Sequence, residues 1–123
     1  MGLYLGARVA VEKEGKTVFQ YAPMDLFKHL DERMFICDVT EIQFTTLTRK
    51  LAKRLDITYD VNFGGSLSKS DLFKFYKETE RILRTWSPNP GNEDEYNLEL
   101  QVKWLHDFVE VCLLNDEIEV SIS

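Results

Sequence analysis

Histidine, cysteine and long apolar runs are all scarce in this chain of 123 residues. His29 and His106 stand far from each other and from both cysteines, so the clustered ligands that indicate a metal site are missing. No apolar run approaches the roughly 20 residues that span a bilayer. The first residues also lack the basic leader of a signal peptide. We therefore predict a cytoplasmic protein without a metal, a cofactor or a membrane contact.

The usual signals of catalysis are missing as well. No serine lies in the glycine-flanked pattern of a nucleophile elbow. Cys37 and Cys112 lie in apolar surroundings, and we predict buried, reduced thiols rather than a disulfide, although a disulfide is the alternative. A thiol on the buried face of a helix, as predicted for Cys112, is inert. The sequence therefore predicts a protein that is not an enzyme.

Two weaker patterns allow a functional and a structural interpretation. Asp56 and Asp60 share one face of a predicted strand, which could serve acid–base chemistry but is common on any solvated strand face. Gly64 and Gly65 precede a helix start but lack the further glycines and the lysine of a phosphate-binding loop. We expect a solvated strand and a turn, respectively.

Positive charge is nearly absent from the last third of the chain. Residues 1–88 hold 14 Lys+Arg and 12 Asp+Glu, whereas residues 89–123 hold one Lys and nine Asp+Glu. First-turn carboxylates stabilise a helix N-terminus, but nine exceed what one helix start requires. They form either a solvated face or a surface that binds a basic partner. The nine are Glu93, Asp94, Glu95, Glu99, Asp107, Glu110, Asp116, Glu117 and Glu119.

Cations are concentrated on one predicted helix instead. Arg49, Lys50, Lys53 and Arg54 lie within six residues, near the end of that helix. No aromatic residues alternate with them to stack on bases, and the chain carries a net charge of −6. We therefore expect a solvated helix face and no nucleic-acid partner.

Hydrophobic periodicity predicts an α+β fold with a single domain over residues 1–123. Alternating apolar residues predict strands at 3–12, 17–21, 56–63 and 117–122. Helical spacing and N-cap signals predict helices at 24–30, 38–55, 68–86 and 92–114. Such an order indicates a largely antiparallel sheet of about four strands, covered by about four helices.

Capping patterns place the starts of two of these helices. Ser68 with Asp71 marks the start of the third helix. For the second helix, Asp38 with Glu41 is one capping pair, and Thr40 with Gln43 is the alternative.

The helix over residues 92–114 is predicted to be central, because its apolar residues cover most of its circumference. One face carries Leu98, Val102, Leu105, Val109 and Cys112, and Trp104, Phe108 and Val111 widen it. A helix apolar over so wide an arc must be covered on more than one side.

Several short patterns together resemble the small bacterial immunity proteins of polymorphic and contact-dependent toxin systems. They are an opening MGLYL strand, a G-x-L-S-x-x-x-L helix start at residues 65–72, a K-E-x-E-x-I segment at residues 77–82, and a closing helix–strand unit. The resemblance covers residues 1–12 and 64–122. It implies a cytoplasmic, non-enzymatic inhibitor that binds a toxin domain, often basic, and blocks its active site. The alternative is a regulatory or adaptor domain of a phage or mobile element, without a toxin partner.

Overall fold

The computed structural model describes residues 3–30, 40–58, 65–86 and 91–122 of the chain. Within these residues the chain forms a five-stranded sheet and three α-helices, so the predicted α+β class is confirmed, with one strand more and one helix fewer than expected. The strands are β1 (Leu3–Lys13), β2 (Lys16–Tyr21), β3 (Glu41–Phe44), β4 (Ser66–Leu67) and β5 (Ile118–Ile122). The helices are α1 (Thr46–Arg54), α2 (Lys69–Thr85) and α3 (Glu93–Leu114), and a 3₁₀ helix spans Met24–Phe27.

The sheet is built around β1, and every strand pairing among the described residues is antiparallel. The strand order is β2-β1-β5-β4, and β3 pairs with the first residues of β1 on the same side as β2. The strands predicted at 3–12 and 17–21 are present as β1 and β2 and form an antiparallel hairpin. Its turn residues Glu14 and Gly15 have φ angles of 54° and 76°, as a two-residue type I′ turn requires.

One face of the sheet forms the core with the helices. Leu5 and Ala7 of β1 are fully buried, and so are their cross-strand partners Ile42, Val120 and Ile122, with at most 4% of each exposed. Cross-strand partners share a face, so the alternating residues of these strands point away from the core.

Helix α3 is the central helix, as predicted. It contacts α2, α1, β5 and the 3₁₀ helix, and the ring of Phe108 lies 5.6 Å from that of Phe27. Its buried stripe begins at Val102. The expectation that Leu98 is also inward was wrong, because the side chain lies before that stripe and is 41% exposed.

The predicted helix start at Asp38 and Glu41 was wrong over the described residues. Residues 41–44 form β3, and α1 begins after Thr45, whose Oγ1 accepts a hydrogen bond of 3.2 Å from the backbone N–H of Thr48. Strand pairing prevails here because it places Ile42 and Phe44 in the core, each at least 96% buried. Asp38 itself lies outside the described residues.

Two further predictions need correction. Asp56 has a φ of 59°, and residues 56–58 do not form the start of a strand; the remainder of the predicted strand, with Asp60 and Gly64, lies outside the described residues. The predicted helix over residues 24–30 is limited to the 3₁₀ helix. Phe27 and Leu30 are nevertheless buried, as its apolar pattern predicted.

Candidate functional site

Three of the predicted acidic residues have described side chains on α3, and two of them are engaged within the protein. Asp107 Oδ1 lies 3.2 Å from Nδ1 of His106. Glu110 Oε2 accepts a hydrogen bond of 3.3 Å from the Tyr76 hydroxyl on α2. Glu99 forms no hydrogen bond or ion pair to any other residue of the described part. The side chains of residues 93–95 are outside that part. Of the three, only Glu99 is without an interaction in the described part.

Tyr76 and His106 hold α2 and α3 together beside these carboxylates. Their rings stack with centroids 4.8 Å apart and an interplanar angle of 21°. Desolvation of the phenol, together with the negative charges of Glu80 and Glu110, raises the pKa of Tyr76 above its usual value. Nε2 of His106 is buried without a hydrogen-bond partner among the described residues. This cluster serves to join the two helices.

The acidic residues beyond α3 are exposed. Asp116 and Glu117 lie in the turn after the helix, and Glu119 projects from β5. Lys69 of α2 reaches the same region, but its ammonium group donates to the carbonyl oxygens of Cys112, Asn115 and Ile118 at 2.6, 3.1 and 2.6 Å. None of the three carboxylates forms an ion pair with a residue that the structure describes. No cation of the described part therefore pairs with any of these three carboxylates.

Glu119 belongs to the sheet face opposite the core, here called the outer face. The register of the strands places Arg8, Phe19, Tyr21, Glu41, Glu119, Ser121 and Ser66 on this face. The structure thus divides the acidic residues between two surfaces, the outer face with its adjoining turn and the helical layer.

A buried ion pair organises the outer face. The Arg8 guanidinium binds the Glu41 carboxylate, and their side chains are only 18% and 10% exposed. The same guanidinium lies over the ring of Tyr21, with Cζ 4.3 Å from the ring centroid. A Cβ atom at Gly6 would lie 2.8 Å from both Nη atoms of Arg8, so a residue without a side chain leaves room for this arrangement. Arg8 is therefore held by Glu41 and Tyr21 in the space that Gly6 leaves.

A concave region of about 390 Å³ lies beside Arg8 on this face. Phe19, Ser66, Glu119 and Ser121 contribute to its lining. The Phe19 side chain is 58% exposed, and Ser121 Oγ donates a 3.4 Å hydrogen bond to the carbonyl of Gly6. A volume of this size lies within the range of sites that bind small ligands or single side chains.

The predicted basic helix face is α1. Arg49, Lys50, Lys53 and Arg54 are all exposed, as expected, and Lys53 and Arg54 lie in its last turn. Arg54 also forms an ion pair of 3.4 Å with Glu78 of α2. Part of this positive charge is therefore neutralised within the protein.

Neither a reactive thiol nor a cluster of metal ligands is found in the described residues. Cys112 is free and buried, and burial raises the pKa of its thiol to about 12. No three His, Cys, Asp or Glu side chains of the described part lie close enough together to hold a metal ion. None of the described helices has the length and apolar character needed to cross a bilayer.

Two cations with several contacts in the fold, Arg8 and Lys69, were not singled out from the sequence. Arg8 lies within the strand predicted at 3–12, and Lys69 within the helix predicted at 68–86. Their partners, Glu41 for Arg8 and the carbonyls near Cys112 for Lys69, lie 33 and more residues away in the chain. No local pattern predicts contacts over that separation.

No protein-family model, no curated protein and no solved structure matches this sequence.

Proposed function

We propose that this protein is a non-enzymatic, immunity-type inhibitor that binds a bacterial toxin domain with a basic surface through its acidic last third. The observation that supports the proposal is a set of carboxylates in this last third that have no cationic partner in the described part. Glu99, Asp116, Glu117 and Glu119 form no ion pair with any described residue. A surface of this kind attracts a partner with complementary charge.

Other charges of the chain support this interpretation by contrast. Elsewhere, several carboxylates have a basic neighbour: Glu41 pairs with Arg8, and Glu78 pairs with both Arg54 and Arg81. Charges that serve only solubility are commonly interspersed in sign. The run from Asp116 to Glu119 has one sign only, which favours recognition.

The mechanism we propose is occlusion of the toxin's active site, with the negative charge increasing the rate of association. Complementary charges mainly raise k_on, and their effect weakens as salt screens them. Because Cys112 is buried with a raised pKa, the chain would act by binding rather than through this thiol.

The test is a charge reversal in the turn after α3. We expect the double variant Asp116→Lys/Glu117→Lys to bind the cognate basic toxin domain with a lower kon and a flatter dependence of kon on salt. Both positions follow a helix C-terminus, where a cation interacts favourably with the helix dipole, so the fold should not suffer. Stopped-flow association at several salt concentrations gives k_on, and thermal unfolding checks the fold.

The matched control is Arg49→Glu/Lys53→Glu, which reverses two exposed cations on α1. It should leave k_on for a basic toxin unchanged or slightly higher. If the control variant loses binding and protection of cells while Asp116→Lys/Glu117→Lys keeps both, the interface lies on α1 and the charge argument is wrong. Glu99→Lys, tested alongside, reports whether the helical layer takes part.

A further inference from the structure

Glu119 lacks a cation although an arginine lies directly opposite it. In the β1–β5 register, Glu119 pairs with Arg8, and cross-strand neighbours of opposite charge normally attract each other. Arg8 instead binds Glu41 and lies over Tyr21. The carboxylate of Glu119 is exposed and forms no ion pair with a described residue. It can therefore accept a cation from outside.

The surroundings of Glu119 suit a planar cation. Phe19 and Glu119 line the same concave region, whose volume is about 390 Å³. Phe19 is 58% exposed, so its ring is open to a second group. Ser66 and Ser121 add hydroxyl oxygens to the lining. An aromatic face, a carboxylate and hydroxyl acceptors are the groups that a guanidinium binds.

The same face already holds one guanidinium in this way. Arg8 is bound by a carboxylate and an aromatic ring, those of Glu41 and Tyr21. Glu119 and Phe19 offer the same two kinds of group in the adjoining region, which Arg8 also lines while its guanidinium is bound by Glu41. The arrangement favours arginine over lysine, because a guanidinium can bind a carboxylate and stack on a ring at once.

We propose that the concave region on the outer face binds an arginine side chain from a basic segment of the partner, held by Glu119 and Phe19. This inference rests on the proposed function, since it places the basic group of the toxin on the sheet rather than on α3. It also assigns Glu119 a different role from Glu99, which lies on the helical layer.

The probe is a blocked tripeptide, acetyl-Gly-Arg-Gly amide, titrated into the ¹⁵N-labelled protein and followed by NMR. The peptide with citrulline in place of arginine has the same shape without the charge and serves as the ligand control. We expect saturable shifts of the Phe19, Ser66, Glu119 and Ser121 amides for the arginine peptide, with Kd on the order of millimolar, as for a weak single-side-chain contact.

Two variants remove one carboxylate each from different surfaces. E119Q should weaken binding of the arginine peptide about three- to fivefold, the usual range for an exposed ion pair. E99Q removes the same charge from the helical layer and should leave Kd unchanged. Phe19→Leu should also weaken binding, since it removes the ring but keeps an apolar side chain.

Several outcomes would overturn the inference. These are the absence of saturable shifts, equal shifts with the citrulline peptide, or equal losses in E119Q and E99Q. A toxin domain that is bound equally well by E119Q and the wild type, but not by Asp116→Lys/Glu117→Lys, would also exclude this site while leaving the proposed function intact. Binding of the arginine peptide without any binding of a toxin domain would support this site and contradict the proposed function.

Discussion

Helices α2 and α3 pack against each other, but they differ in how many of their carboxylates form ion pairs. On α2, Glu78 pairs with Arg81, Glu80 pairs with Arg84, and Asp71 lies 4.0 Å from Lys74. On α3, the sole cation from residue 93 onwards is Lys103, and Glu99 has no ionic partner in the described part. Carboxylates on α2 therefore stabilise their own helix, whereas α3 and the turn after it present charge that the protein does not neutralise.

The two helices also differ in how they are buried. Helix α2 buries a stripe that includes Leu72, Phe75 and Thr79, and its opposite side is charged. Helix α3 contacts elements on several sides, and Phe108 and Val109 are completely buried. The central helix is thus followed by the unpaired carboxylates of Asp116 and Glu117.

The largest expected effect separates the two helices by burial. Phe108→Ala should lower the free energy of unfolding by about 3–5 kcal/mol, because it removes a fully buried ring from the core. The matched control is Phe73→Ala on α2, where the ring is 52% exposed and most of its contact is with solvent. Urea unfolding of both variants measures the difference.

We expect the Phe73→Ala value to lie within about 0.5 kcal/mol of the wild type, as for a surface substitution. If Phe108→Ala lowered the free energy of unfolding by less than about 1 kcal/mol, the ring of Phe108 would not lie in the core. Helix α3 would then be peripheral, and the contrast with α2 would disappear.

A smaller effect tests the contact that links the helices at one end. Lys69→Met removes the ammonium group that donates to three carbonyl oxygens, those of Cys112 in α3, Asn115 just after it and Ile118 at the start of β5. We expect a loss of about 1–2 kcal/mol, the upper range for a cation at a helix C-terminus. Urea unfolding gives the value, and the methionine preserves most of the apolar stem.

Lys74→Met is the control, because Lys74 is exposed and lies 4.0 Å from Asp71. It should have little effect on stability, since exposed pairs contribute little. Equal losses in the two variants would mean that the three hydrogen bonds of Lys69 do not hold α2 to α3.

Local sequence signals predicted those parts of the fold that local interactions decide. Ser68 caps α2 as predicted, since its Oγ accepts a 3.1 Å hydrogen bond from the backbone N–H of Asp71. The last strand is also as predicted, because alternation placed Ile118, Val120 and Ile122 on the core face. The pair Glu80–Arg84 forms across one helical turn, as the i,i+4 spacing allows.

Predictions went wrong where distant residues compete with local patterns. The capping signal near Glu41 is satisfactory by itself, but pairing with β1 buries the apolar residues of β3 instead. The acidic residues were identified correctly, but the sequence did not show that they lie on two surfaces. Only the topology places Glu119 on the sheet and Glu99 on the helical layer. The contacts of Arg8 and Lys69 require the folded chain.

The smallest effect tests whether the paired charges of α2 stabilise the fold in a pH-dependent way. Glu78 accepts hydrogen bonds from Arg81, at 2.5 and 3.3 Å, and lies 3.4 Å from Arg54. The hydrogen bonds from Arg81 are the main cause that lowers the pKa of Glu78 below its ordinary value of 4.5, with Arg54 adding to them. Because the folded pKa is the lower one, this stabilisation is present above about pH 4.5 and is lost as the pH falls through the folded pKa.

Glu78→Gln should therefore be less stable than the wild type at neutral pH, by less than about 1 kcal/mol, and the two should converge in acid. Urea unfolding at a series of pH values from neutral into the acid range measures this gap. Glu99→Gln removes the same charge from α3, where no arginine binds it, so its stability curve should run parallel to that of the wild type. A gap for Glu78→Gln that stays constant with pH, or one that Glu99→Gln reproduces, would contradict the difference between the helices. Convergence for Glu78→Gln alone would mean that the Glu78 carboxylate is bound within the fold and that the Glu99 carboxylate is not.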